Sequence, residues 1–406
     1  MDRSSTRVLA GILPGAAAAA LAAVLAVLPG QAPAQTVRIG VVNTFTGPNS
    51  NMTDYIDRGM RLYMKTHESG LPPGVKVELV TRDDGGPNPD AAKRLAQELI
   101  VREKVQFLAG FVFSPNAAAV APLSAEAKVP MVIMNAATSS ITTLSPYAVR
   151  VSFTLWQTTY PLGQWAGRRF KRAYTLVADY SPGFDAEAAF EKGFRDGGGE
   201  VVGKVRTPMS TQDYAPFMER VKESKPDVLF AFVPAGRTAI ALLKSFRETG
   251  LDKAGIRFIG TGDTTPEDEL AGMGDAALGV YTSMHYAASA DRPANRSFVA
   301  AWKKEYGEAS EPVFTAVAGW DGMDAIYGAI RAQKGNLSPE QSLALLRNYR
   351  SADSPRGPIS IDPETRDIVQ NIYLREVRRV GPRLENVEIE TIGTAVKDPW
   401  KEFNRK

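Results

Sequence analysis

Gly110-Phe-Val-Phe-Ser-Pro-Asn-Ala117, read together with Asn135-Ala-Ala-Thr-Ser-Ser-Ile-Thr142, sets the fold of this chain. Each stretch follows a short apolar run, Val105–Ala109 and Val129–Met134, and each puts small or hydroxyl residues where a strand hands over to a helix. In an open α/β sheet that is the carboxyl end of a strand facing a helix N-terminus, where free N–H groups and the helix dipole favour an anion. Ser114 and the Ser/Thr cluster of either stretch taken alone also read as helix caps. Two such loops on neighbouring strands of one lobe can clamp a single carboxylate.

The strand-helix rhythm extends in both directions. Strands are expected at Val37–Asn43, Lys76–Arg82, Gln106–Ala109 and Met131–Met134, with helices at 53–68, 90–103 and 115–127 between them and Asp90 as a cap. After Arg150-Val-Ser-Phe153 the pattern restarts. Helices at 157–170, 184–196, 213–223 and 237–248 alternate with strands at Ala173–Ala178, Glu200–Arg206, Val228–Phe232 and Arg257–Ile259. That is the signature of a second parallel sheet built from βαβ units. Helices at 292–305, 313–335 and 338–349 follow, then strands at Pro358–Asp362 and Val369–Val377, and a tail read as solvated. No Pro/Gly/Ser-rich linker separates the halves, so extended hinge strands are expected to pass between them.

Residues 1–34 read as an export signal: Arg3 and Arg7, an apolar run Ala16–Leu28, and Ala32-Pro-Ala34 before Gln35. Removing those 34 residues from 406 leaves 372, more than one core usually supports. The expected organisation is 35–152 plus 284–352 as the first lobe and 153–283 plus 353–406 as the second. No later run is long enough to span a bilayer, and there is no cysteine to carry a lipid, so the mature chain is expected to be exported and not membrane-inserted. Without cysteine, disulfides, thiolate catalysis and Cys-based zinc sites are excluded. His67 and His285 are too few for a His-rich metal site. With 48 basic against 45 acidic residues and no dense basic run, nucleic acid is not expected as a partner.

Other motifs are weaker. Asp179-Tyr-Ser-Pro-Gly183 lacks the first Gly of a nucleophile elbow, and Gly260-Thr-Gly262 lacks the rest of a dinucleotide fingerprint. Asp83-Asp84-Gly-Gly-Pro-Asn88 gathers oxygens without the spacing of a calcium loop. No cofactor is expected and the chain is not read as an enzyme. Among aromatics near the strand ends, Phe111, Trp156 and Tyr160 read as core, whereas Phe45, Phe113 and Tyr180 are placed to pack on a ligand.

These elements together are similar to the leucine/isoleucine/valine-binding family of periplasmic solute receptors for ABC importers. The resemblance is carried by Val37-Arg-Ile-Gly-Val-Val42 with Thr46-Gly-Pro48, Glu78-Leu-Val-Thr-Arg-Asp-Asp84 with Pro89, the Gly110 to Ser114 loop, Asn135-Ala-Ala-Thr138 and Arg150, and it covers essentially all of the mature chain. It implies the type I periplasmic binding protein fold: two doubly wound, Rossmann-like α/β lobes joined by a three-segment hinge that closes on ligand. It further implies a periplasmic monomer that captures a small carboxylate and delivers it to a membrane permease. By the same resemblance Ser114 and Thr138 bind the carboxylate, Ala136 offers its backbone beside Asn135, and Tyr180 reaches in from the second lobe. Amino-acid-binding members place an acidic residue where this chain has Gly262, with Asp263 one step later, and a tyrosine where it has Pro234-Ala-Gly236. Ser354-Pro-Arg-Gly-Pro358 and Asp362-Pro-Glu-Thr-Arg-Asp367 are similar to members that bind aromatic acids. An aromatic acid is therefore the expected ligand. A branched-chain or other amino acid is the alternative, and a ligand-sensing receptor domain a further one.

Overall fold

The computed structural model describes residues 35–404, so the export signal lies outside the described residues. The first sheet is wholly parallel. It is built from β1 (Gln35–Asn43), α1 (Ser50–His67), β2 (Val75–Asp83), α2 (Pro89–Val101), β3 (Phe107–Gly110), α3 (Ser114–Glu126), β4 (Met131–Ile133) and β5 (Ala148–Arg150), in the order β2-β1-β3-β4-β5. Helices cover both faces, so Val37, Ile39, Val41 and Val42 of β1 are all buried, the near-continuous apolar run of a two-sided parallel strand. The order reverses between β1 and β3. The loops leaving their carboxyl ends therefore diverge and open a crevice. Asn88, rather than Asp90, caps α2 by accepting from the Ala91 N–H at 3.1 Å.

The second sheet repeats the plan with α4 (Leu155–Gly167), β6 (Arg172–Ala178), α5 (Ser181–Asp196), β7 (Glu200–Thr207), α6 (Ala215–Glu223), β8 (Val228–Phe232), α7 (Arg237–Glu248), β9 (Arg257–Thr261), the single turn α8 (Leu270–Met273) and β10 (Tyr281–Met284). Its parallel strands run β7-β6-β8-β9-β10, with the reversal between β6 and β8. The chain then returns through α9 (Pro293–Tyr306), α10 (Phe314–Ala332) and α11 (Pro339–Arg347), with α10 packed along α1. Gly59 and Gly319 allow that approach: a Cβ on Gly59 would stand 2.1 Å from the Ala316 carbonyl oxygen, and one on Gly319 would stand 2.3 Å from that of Ile56.

The end of the chain departs from expectation. After β11 (Arg350–Ser351) and β12 (Ile359–Ile361), β13 (Ile368–Val380) pairs first with β12 and then antiparallel with β10. The tail read as solvated forms β14 (Arg383–Val396), a hairpin partner of β13, and α12 (Pro399–Phe403), which packs on α4. Ile359, Ile361 and Ile368 lie in the core of the first sheet with Val37 and Ile39, so we propose that 353–368 goes with the first lobe rather than the second.

Two buried ionic clusters tie the crossing segments together. Arg356 pairs with Asp321 at 2.7 Å and donates to the Val151 and Ser152 carbonyls at 2.7 and 2.9 Å and to Gln370 at 2.8 Å. Arg150 faces Asp367 at 3.4 Å, and Asp367 also receives Lys401. Every one of these side chains is nearly or fully buried, so loss of one partner would leave an uncompensated charge in the hinge. The Ser354-Pro-Arg-Gly-Pro358 and Asp362 to Asp367 motifs thus hold the crossings together.

Candidate functional site

The β3–α3 connection turns through two successive left-handed residues, Gly110 at φ +103° and Phe111 at φ +68°. For Gly110 the conformation is cheap and the space is needed, since a Cβ would stand 2.8 Å from Asn43 Oδ1. For Phe111 it is a strained arrangement, held by its buried ring and by the Phe111 N–H bond to Val42 and the Ala136 N–H bond to the Phe111 carbonyl, both 2.9 Å. The turn delivers Val112, Phe113 and Ser114 into the space between the two sheets.

Ser114 and Thr138 do not act as caps. Neither α3 nor the 3₁₀ turn at Ser139–Leu144 has a side-chain cap. Instead Ser114 Oγ accepts the N–H groups of Ala137 at 3.0 Å and Thr138 at 3.1 Å, which locks the two loops to each other. With both acceptor positions filled, the Ser114 hydroxyl proton is left to donate outward. The Thr138 hydroxyl is buried and without a partner among the described residues. The Thr138 carbonyl accepts from Arg150 at 2.7 Å, which puts a buried guanidinium behind the loop.

Phe113, Ser114, Asn135, Tyr180 and Asp263 line one narrow cavity between the lobes. Phe45, Ala136 and Thr138 do not. Phe45 packs half-buried on the first core with its N–H bonded to Asp83 at 2.8 Å, and Ala136 is buried with its N–H already committed to Phe111. The neighbour that does reach the cavity from that loop is Ala137. Met52, Phe153, Leu155, Phe232 and Pro234 complete the walls. Phe232 and Pro234 stand at the carboxyl end of β8, a position the strand pattern marks. Met52 comes from α1, which carries no such mark.

Asp263 settles the orientation of the β9 loop. Gly262 faces away from the cavity: a Cβ there would meet Met284 at 2.6 Å and Arg375 Nη2 at 2.7 Å. Asp263, 4 % exposed, turns into the cavity and accepts from the Thr261 hydroxyl at 2.9 Å. The acidic position expected at Gly262 is thus supplied by its neighbour. Desolvation raises the Asp263 pKa to about 6, against the pull of Thr261 and Arg375. Tyr180 stacks on Phe232, ring centroids 6.1 Å apart at 15°. Its hydroxyl pKa is pushed well up, first by burial and then by the Asp263 charge.

The site therefore has a hydroxyl end, Ser114 at the start of α3, on the first lobe, an acidic and phenolic end on the second, and aromatic walls between. Polar contacts close the rim around it: Asn49 to the Ala235 carbonyl at 3.1 Å, Asn51 to Asp268 and Glu269 at 3.3 and 3.2 Å, and the Ser139 N–H to Asp185 at 2.8 Å.

The sequence model for periplasmic binding proteins matches residues 36–382. The chain belongs to the periplasmic binding protein family. This periplasmic binding protein is 44% identical over 371 residues to the Leu/Ile/Val-binding protein homolog 6 of Brucella melitensis biotype 1, covering 91% of this chain and 95% of the relative. Among solved structures it is similar to a solute-binding protein of an ABC transporter from Rhodopseudomonas palustris BisB5 in complex with 3,4-dihydroxybenzoic acid (46% identity, 90% of this chain and 99% of the other, TM-score 0.85). It is also similar to one from Rhodopseudomonas palustris HaA2 in complex with p-hydroxybenzoic acid (45% identity, 90% and 98% covered, TM-score 0.86). The binding protein thus has the type I fold and is a solute-binding component of an ABC transporter, a class of receptors rather than enzymes. No helix among the described residues is long and apolar enough to cross a membrane.

Proposed function

We propose that this protein is the exported, periplasmic receptor of an ABC importer for a small aromatic carboxylate of the hydroxybenzoate class, which it hands to a membrane permease. The observation that carries this reading is the polarity of the cavity: Ser114 at one end, Asp263 and Tyr180 at the other, and Phe113, Phe153 and Phe232 between them. In this reading the ligand carboxylate takes the Ser114 hydroxyl at the uncapped start of α3, with the field of Arg150 behind it. The ring lies on the aromatic walls, each good contact contributing about 0.5–1.5 kcal/mol beyond area burial. The ring hydroxyl donates to Asp263, whose carboxylate otherwise remains buried with Thr261 as its hydrogen-bonding side chain. The hydroxybenzoates bound by the two Rhodopseudomonas proteins support the choice.

One observation favours a second reading, an amino acid, in keeping with the name of the Brucella relative: Asp263 turned inward is a partner for an ammonium group. Calorimetric titration of 4-hydroxybenzoate, 3,4-dihydroxybenzoate, benzoate, phenylalanine and leucine separates the two. The hydroxybenzoates are expected to bind, benzoate to bind at least about tenfold more weakly because it leaves Asp263 unpaired, and Ser114→Ala to weaken 4-hydroxybenzoate by about tenfold or more. Leucine binding tighter than 4-hydroxybenzoate would replace the aromatic reading with the amino-acid one.

A further inference from the structure

The segment after β14 lies against the back of the 135–142 loop. Gln157 of α4 donates to the Val396 carbonyl at 2.9 Å and to that of Ile368 at 2.7 Å, which lays the strand end across the crossings. Lys401 reaches Thr142 and Asp367, and Phe403 rests edge-on against Tyr160, ring centroids 5.2 Å apart. Between these anchors stands Asp398, 2% exposed.

Asp398 does more than start α12. The bond from the Trp400 N–H at 3.1 Å is an ordinary cap. The same oxygen, Oδ1, also accepts the Ser139 hydroxyl at 3.1 Å and the Thr154 hydroxyl at 3.2 Å, both side chains fully buried. A cap needs no burial, and taking a carboxylate out of water costs free energy. What the buried position adds is a joint between two elements. Ser139 follows Asn135 and Ala137, which line the cavity, and Thr154 caps α4, with which the second lobe begins.

From Ser139 the bonds run on to the cavity. The N–H groups of Ala137 and Thr138 fix Ser114 Oγ, while the Leu155 N–H holds the Ala137 carbonyl at 3.1 Å and Arg150 that of Thr138 at 2.7 Å. Ser139 gives its N–H to Asp185 across the rim and its hydroxyl to Asp398. We propose that Asp398 is a positioning residue: through Ser139 it fixes the Ala137 and Thr138 N–H groups, and with them the direction in which the Ser114 hydroxyl meets a ligand carboxylate. The last step rests on the reading of Ser114 as the carboxylate end of the site; the hold of Asp398 on the loop does not.

Without ligand, backbone amide exchange in 135–142 is expected to quicken by about tenfold or more in Asp398→Ala and in Ser139→Ala, and to be unchanged in α2. Asp398→Asn, which keeps the accepting Oδ1, is expected to exchange like the parent. Ser139→Ala breaks only the bond between loop and Asp398, and carries the test should Asp398→Ala fold poorly. Each alanine variant is expected to weaken 4-hydroxybenzoate binding by about tenfold, but by less than about twofold when added to Ser114→Ala, where the group being positioned is gone. Exchange equal to the parent's in both alanine variants overturns the proposal. So does a loss of affinity as large in the Ser114→Ala background as in the parent, the mark of a merely structural role. A parent that does not bind 4-hydroxybenzoate overturns the reading of the cleft, and amide exchange then decides the positioning by itself.

Discussion

Burial of the Asp263 carboxyl raises its pKa from the usual 3.8 to about 6, and that shift is a statement about stability. Below pH 3.8 the group is protonated folded and unfolded, and costs nothing. As pH rises from 3.8 to about 6 the unfolded chain ionises while the folded one resists, so a penalty grows; above about 6 it is constant, at most about 3 kcal/mol. Asp263→Asn keeps an acceptor for Thr261 and removes the charge. Its ligand-free melting temperature is expected to exceed the parent's at pH 7.5 and to match it near pH 3.5, with binding of 4-hydroxybenzoate weakened, a trade of function for stability. Equal melting temperatures at pH 7.5 would show that the carboxyl is solvated when no ligand is bound. At this scale the sequence puts Ser114 at a strand-to-helix turn, where a cap and a ligand contact read alike, and the structure places it on the cavity without a capping bond to α3. Asp263 was not placed, because the choice between Gly262 and Asp263 is made by Arg375, 113 residues further on.

The α4–α5 pair shows how an element's sequence controls its neighbour. Gly163 and Gly167 on α4 meet Gly193 and Gly197 at the end of α5, and each would clash if it carried a Cβ; on Gly193 it would stand 2.2 Å from the Tyr160 carbonyl oxygen. Gly193→Ala gains about 1 kcal/mol of helix propensity but must push the helix backbones away from each other, at a cost of about 1–3 kcal/mol for overpacking or more. A lower urea midpoint with an unchanged slope is expected. Gly328 in α10 has nothing within 4 Å of its would-be Cβ, so Gly328→Ala is expected to stabilise by about 0.5–1 kcal/mol. A gain at both positions would mean the α4–α5 contact yields easily. The βα units were legible because parallel strands buried on both faces read as apolar runs bounded by turns. β14 was not: it lies half-buried to exposed on the outside of β13 and its register is broken by bulges, so neither apolar content nor clean alternation marks it. The three-residue β5 and four-residue β10 are too short to show a period.

At the scale of the whole molecule, the two lobes meet across a cavity and are joined through segments whose charges are buried and paired. Those clusters resist distortion, so the lobes are expected to move as bodies about the crossings rather than by internal change. What holds them shut is small by comparison. The rim bonds of Asn49 to Ala235 and of Asn51 to Asp268 and Glu269 each contribute about 0.5–1.5 kcal/mol, and more where the acceptor is ionised. A ligand that touches Ser114 on one lobe and Asp263 on the other adds differential affinity for the closed state, which is what shifts the balance. The double variant Asn49→Ala, Asn51→Ala leaves the cavity walls in place. Without ligand its radius of gyration by small-angle scattering is expected to exceed the parent's, and saturating 4-hydroxybenzoate is expected to restore the compact value at an affinity reduced by the free energy of the lost rim bonds. An identical scattering profile for parent and variant, with and without ligand, would mean that the lobes are fixed and that ligand enters by a local opening of the rim.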